Sequence, residues 1–347
     1  MTSGSCFPMS AAHVAESVLP YVVLGFVIVA GAGLPVIGAL RRLSFRQHAY
    51  ELAPATHAVK TGTPTMGGVL FALALLVFFV LMAGRYAHTP EKLFADVPLL
   101  WLALGCGAVG FADDYMSVVH GRNRGLSART KFALTALVAV TFLFMVQRPF
   151  LVPAIALGSL SIGVPVWLWY GLSFVAILAT THAVNLTDGL DGLAAGSVVP
   201  PLLLLAWIAA LCNGAGTSEA GFTAALTAGA ALGFLMFNRH PAKVIMGDTG
   251  ALLLGGILAG IAIELGQQLL LILIGGVFAA EAMSVIIQVS YFKRTKKRFF
   301  KMSPLHHHFE LSGWPETKVT AYFWAASLTL SLAGAAFALV PANGGLK

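Results

Sequence analysis

NLTDGLDGLA, Asn185 to Ala194, sets two carboxylates, an amide and two glycines between two oily runs. WLWYGLSFVAILATTHAV precedes it, and an apolar stretch from Leu193 to Leu211 follows. A charge left at the centre of a bilayer costs about 3 kcal/mol on insertion scales, so something must hold these groups. The runs on either side decide the fold. Each has the roughly 18 residues or more that a helix needs to cross a bilayer. The whole chain is 58% hydrophobic and only 10% charged, against roughly 25% charged in an average soluble domain. Its oily segments are continuous rather than alternating, which suits helices and not a transmembrane barrel. The expected fold is all-α: a polytopic membrane helix bundle, one integral membrane domain over residues 1–347, with polar loops carrying the site.

Apolar segments fall at about 18–40, 66–83, 97–112, 130–147, 166–184, 193–211, 222–237, 250–265, 267–291 and 319–340, about ten in all. The stretch at 148–165 is oily but broken by Pro149, Pro153, Gly158 and Pro165, and reads as an external loop or short hairpin. Orientation follows from the basic residues. With the loop after the first segment inside, every Lys and Arg but Arg85, Lys92, Arg148 and Lys347 falls on the inner side. That asymmetry puts both termini outside. It also accounts for the net charge of +7, which in a soluble protein would suggest nucleic acid. The three cysteines have no C-x-x-C spacing and imply no zinc site.

The same topology sorts the acids. Every aspartate except Asp96 lands on the inner side, near a segment end. GFADDYMSV brings Asp113 and Asp114, NLTDGLDGLA brings Asp188 and Asp191, and NRHPAKVIMGDTGA brings Asp248. A fourth inside loop, KMSPLHHHFELSGWPE, adds His306, His307 and His308. Adjacent like charges at Asp113 and Asp114 require a shared proton or a cation. Gly247 and Gly250 bracket Asp248 and leave amides open to a phosphate, although Asp248 also suits a helix N-cap. D-G-L-D-G lacks EF-hand spacing. Carboxylate oxygens favour Mg²⁺, with Mn²⁺ as a second choice, and Lys60, Lys131, Lys243 and the histidines could neutralise phosphate. The pattern points to hard-cation chemistry on phosphates at a water–lipid boundary.

The motifs TPTMGG (63–68), FADDY (111–115), GLSARTK (125–131), NLTDGLDGLA (185–194), NRHPAKVIMGDTG (238–250), SVIIQV (284–289) and SPLHHHFELSGWPE (303–316) run in order along nearly the whole chain. In these the chain resembles the phospho-N-acetylmuramoyl-pentapeptide-transferase family, within the polyprenyl-phosphate N-acetylhexosamine-1-phosphate transferases. The resemblance implies transfer of phospho-MurNAc-pentapeptide from UDP-MurNAc-pentapeptide to undecaprenyl phosphate, with UMP released. It implies Mg²⁺ dependence, a homodimer in the bacterial inner membrane and an active site facing the cytoplasm. By resemblance Asp248 is the metal ligand and a catalytic residue, and Asp113 and Asp114 are the acid pair beside the lipid phosphate, one of them the base. Asp191 and Asn238 are nucleoside contacts, with Asp188, Asn185, Lys60 and Thr65 nearby. Lys131, His306, His307, His308 and Gln288 meet phosphate or other parts of the substrate, His306 with a catalytic share. The chain departs from the family pattern at Ser117, where lysine is usual, at Ala251 for serine, Ile245 for phenylalanine and Tyr322 for arginine. Lys131 or Arg122 then becomes the candidate for the missing charge.

Two rival readings are a sister enzyme moving GlcNAc-1-phosphate and a membrane transporter. Transporters place ionisable groups near the midplane on broken helices, whereas here they gather at inner ends. The one good midplane acid, Glu281, reads with Gln288 more simply as interhelical bonding.

Overall fold

The computed structural model describes residues 11–43, 62–119, 125–146, 154–157, 160–212 and 219–339. The long helices are α1 (Ala11–Arg42), α2 (Val69–Arg85), α3 (Pro90–Val119), α4 (Ala128–Met145) and α5 (Val166–Thr187). They continue as α6 (Leu193–Ser197), α7 (Val199–Cys212), α8 (Glu219–Asn238), α9 (Gly247–Glu264), α10 (Leu270–Ile274), α11 (Gly276–Thr295), α12 (Leu305–Glu310) and α13 (Glu316–Leu339). The only strands among the described residues, β1 (Ala154–Leu157) and β2 (Leu160–Gly163), form an antiparallel hairpin with Ala154 opposite Gly163. That is the broken oily stretch between α4 and α5.

Eight helical spans among the described residues are long and apolar enough to cross a membrane, and α2 is a shorter apolar ninth. The ninth oily segment of the sequence, 267–291, behaves differently from the expectation. It breaks at Gly275 into α10 and α11, and α11 runs on into the basic residues Lys293 and Arg294. The sixth segment is likewise divided, into α6 and α7.

At the centre of the bundle, α9 is buried along nearly its whole length, and α8 along most of its own. Lipid tails are as apolar as leucine, so helices in a bilayer associate through close packing, and small residues make that possible. Gly255 of α9 lies so near α5 that a Cβ there would come within 2.6 Å of the Thr181 Cα. Gly25 of α1 meets α8 in the same way, with the Leu226 carbonyl 2.0 Å from a would-be Cβ. α3 packs along α9 as well. α3 and α5 end, and α4 and α9 begin, at one end of the bundle, where four helix termini can share one polar site.

Candidate active site

The adjacent aspartates at the end of α3 face different partners. Asp113 Oδ1 accepts the Leu126 amide at 2.8 Å and lies 3.1 Å from Lys131 Nζ. Asp114 turns toward α9. Its Oδ1 accepts the Asp248 amide at 3.1 Å, and its Oδ2 accepts the Thr249 amide at 2.9 Å and the Thr249 hydroxyl at 2.6 Å. The first amides of a helix lack intrahelical partners and carry partial positive charge. The residue before α9, Met246, offers no side-chain cap, so Asp114 caps that helix from another one. This resolves the like-charge problem at FADDY: one carboxylate meets a lysine, the other a helix N-terminus.

Asp248 is thereby fixed in the first turn of α9. Lys131 Nζ donates to its Oδ2, and Asn185 Nδ2 donates to its Oδ1 at 2.8 Å. Lys131 thus bridges Asp113 and Asp248, held from the first turn of α4, where Ser127 caps through the Thr130 amide. The approach is close enough to demand glycine. Gly247 has φ +72°, and a Cβ there would lie 2.5 Å from Asp114 Oδ2. A Cβ on Gly110 of α3 would lie 2.1 Å from the Asp248 carbonyl oxygen. TPTMGG sits alongside: Thr65 is buried, the Pro64 carbonyl accepts the Ile245 amide, and the Gly67 and Gly68 amides donate to Ile245 and Met246.

Ligand atoms of Asp113, Asp114 and Asp248 lie within 4.8 Å of one another. Among the described residues three carboxylates face one ammonium, and hard oxygen donors suit Mg²⁺ or Mn²⁺. The donor set fits such an ion, which Asp248 would hold, with Asp114 orienting Asp248.

The other end of NLTDGLDGLA is held separately. Asp191 Oδ2 meets His240 Nδ1 at 3.0 Å and accepts the Ala242 amide at 3.1 Å, while the Asp191 amide donates to Glu316 Oε1 at 2.6 Å. Glu316 Oε2 lies 3.5 Å from the same imidazole nitrogen. Asn238 accepts the Gly192 amide and donates to the Val244 carbonyl, and Trp324 donates to the Gly192 carbonyl. Between these two anchors Asp188 closes α5, its amide donating to the Asn185 carbonyl.

The histidines part company. His306 is 1% exposed and pairs with Glu281. His307 Nδ1 lies 2.8 Å from Glu310 Oε2, and His308 Nδ1 accepts the Lys301 amide. Gln288 Oε1 accepts the Phe299 and Phe300 amides and so folds the basic loop back on α11. Glu281 thus bonds from α11 to α12, the interhelical role expected of it, and its partner is the histidine loop. Lys60 and Arg122 lie outside the described residues. Sequence reasoning passed over Thr249, His240 and Glu316. All three sit inside motifs that were already quoted, but their roles depend on partners in other segments.

Comparison with known proteins adds independent evidence. Residues 97–266 match the model for glycosyl transferase family 4, and residues 60–71 match phospho-N-acetylmuramoyl-pentapeptide-transferase signature 1. Proteins named phospho-N-acetylmuramoyl-pentapeptide-transferase align over most of both chains. The one from Heliobacterium modesticaldum is 46% identical over 91% of this chain and 98% of its own. That from Desulforudis audaxviator is 44% identical over 90% and 96%, and that from Bacillus subtilis 42% over 92% and 97%.

Proposed function

Because the chain belongs to the phospho-N-acetylmuramoyl-pentapeptide-transferase family, we propose that it moves phospho-MurNAc-pentapeptide from UDP-MurNAc-pentapeptide onto undecaprenyl phosphate. UMP leaves, and the product is the first lipid intermediate of peptidoglycan synthesis. In this reading the protein lies in the bacterial inner membrane with its acid cluster facing the cytoplasm, an orientation that the one-sided basic loops support. The homodimer rests on the family resemblance alone.

The observation that carries the reading is the convergence of Asp113, Lys131, Asn185 and Asp248 from four helix ends. The reaction brings two anions together. A phosphate monoester has a second pKa of about 6, so most of the lipid phosphate is already a dianion near neutral pH. Removing the remaining proton, a task for Asp113, is the smaller part of the barrier. Asp113 suits it better than Asp114, whose oxygens are engaged by α9. The larger part is repulsion between the lipid phosphate and the nucleotide diphosphate. Lys131 offsets it with a fixed ammonium, which acts strongly where water is scarce. Mg²⁺, which Asp248 would hold, would neutralise the diphosphate further. The lipid phosphate oxygen then forms a bond to the β-phosphorus of the nucleotide, the bond from that phosphorus to the bridging oxygen breaks, and UMP departs with the electron pair. Asn185 keeps Asp248 in register throughout.

Purified full-length protein with UDP-MurNAc-pentapeptide, undecaprenyl phosphate and Mg²⁺ should release UMP and form a lipid-linked product. UMP release that proceeds equally well with UDP-GlcNAc would move the chain to the sister enzymes. Uptake of solute into proteoliposomes without UMP release would replace the enzyme by a transporter.

A further inference from the structure

Glu281 lies on α11 with 0% exposure, inside a membrane protein. A buried carboxylate is tolerated only when its oxygens are well partnered, and here they are. Oε2 accepts the Leu305 amide at 2.6 Å, and Oε1 accepts the His306 amide at 3.2 Å. These are the first two amides of α12, which has no side-chain cap of its own. Oε1 also lies 3.2 Å from His306 Nδ1.

That third contact dictates the state of the imidazole. A carboxylate oxygen only accepts, so Nδ1 carries the proton. The other ring nitrogen, Nε2, is buried and has no hydrogen-bond partner among the described residues. It points at Gly189 in the middle of NLTDGLDGLA, where a Cβ would lie 2.2 Å from Nε2. A proton on Nε2 would be a buried donor facing a carbon. A bare lone pair there instead meets the glycine Cα–H, a weak favourable contact. The surroundings therefore fit one form of the ring: neutral, with hydrogen on Nδ1.

We propose that Glu281 is a positioning residue that acts through His306 on the aspartate turn. It holds the imidazole in the Nδ1–H tautomer, and the unprotonated Nε2 edge seats Gly189. Asp188 and Asp191 flank that glycine, so the carboxylate on α11 sets the height of a turn it never touches. The substrate consequence rests on the function proposed above, in which this turn meets the nucleotide.

The test uses the full-length protein in nanodiscs, with ¹⁵N-histidine NMR and UMP-release kinetics on wild type, Glu281→Gln, Gly189→Ala and the double variant. The wild-type His306 signal should report Nδ1–H and unprotonated Nε2. Glu281→Gln should lose that single tautomer, because it puts an NH2 donor where one carboxylate oxygen accepted an α12 amide and the side chain must turn. Its nucleotide KM should rise roughly ten- to a hundredfold, the scale expected when a group remote from the chemistry is misplaced, with kcat changed much less. Gly189→Ala should raise KM similarly while leaving Glu281 in place, and the double variant should be no worse than the worse single one. A doubly protonated or Nε2–H ring in the wild type would overturn the proposal. So would a Glu281→Gln protein with a changed tautomer and wild-type KM. Absence of UMP release from the wild type would sink the proposed function instead, and the NMR result would still decide the tautomer.

Discussion

Two carboxylate clusters lie at the same end of the bundle, and both place three ligand-type side chains within 4.8 Å: Asp113, Asp114 and Asp248 in one, Asp191, His240 and Glu316 in the other. Their chemistry differs. In the first, three carboxylates share one ammonium among the described residues, that of Lys131 between Asp113 and Asp248. Amides engage carboxylates in both, but the second has only two carboxylates, and the His240 ring and the Ala242 and Asp191 amides engage both of them. Those contacts tie the aspartate turn to the loop before α9 and to the start of α13. Proximity of acids does not by itself make a cation site. What the neighbouring donors leave uncompensated does.

The contrast can be broken most directly at Asp248. Asp248→Asn keeps size and loses charge, and it should cut UMP release on the order of a thousandfold, as expected for losing several kcal/mol of transition-state stabilisation. Thermal unfolding in detergent should hardly change. Full turnover in that variant would remove the metal assignment. Lys131→Met comes next, with turnover down roughly a hundredfold, the scale of losing one fixed electrostatic partner. Its Mg²⁺ midpoint should fall, because the ammonium that competes for Asp113 and Asp248 is gone. A midpoint that rises would mean that Lys131 helps to hold the ion.

His240→Ala sharpens the comparison from the other side. It removes a hydrogen bond in a half-exposed clasp, so turnover should drop less than about tenfold, and the Mg²⁺ midpoint should stay where it is. A shift in that midpoint would merge the two clusters into one functional unit. The smallest effect is expected at Ser117, where the family usually has lysine. Because Lys131 already bridges the acids, Ser117→Lys should alter turnover by no more than about fivefold, the range of an exposed ion pair. A many-fold gain would mean that the charge was missing after all.

Much of the architecture was legible in the residues. Continuous oily runs announced helices, and the parity of the basic loops already gathered Asp113, Asp188 and Asp248 at one end. The break at Gly275 was not legible, because a glycine pair inside an oily run continues or interrupts a helix according to what packs beside it. Nor was the division of labour between Asp113 and Asp114, since Asp114 takes its partners from a helix that begins at Gly247. The histidine triplet read as contacts to phosphate, and the sequence did not show that each ring finds a different protein neighbour. Glu281 read as a residue that bonds between helices, and it is one, but its partners lie 24 and 25 residues further along the chain and were not legible. Local pattern reports the element a residue belongs to. It does not report which foreign element its side chain completes.

The cap that Asp114 provides for α9 means that the clustered acids have no foundation separate from the bundle. Sliding α3 along α9 by less than the length of a hydrogen bond would uncover the first amides of α9 and turn Asp248 aside. At the seam's polar end Gly110 and Gly247 leave no room for a side chain that could take up such a shift. Transplanting the three aspartates onto another helical scaffold would thus reproduce their charges without their aim.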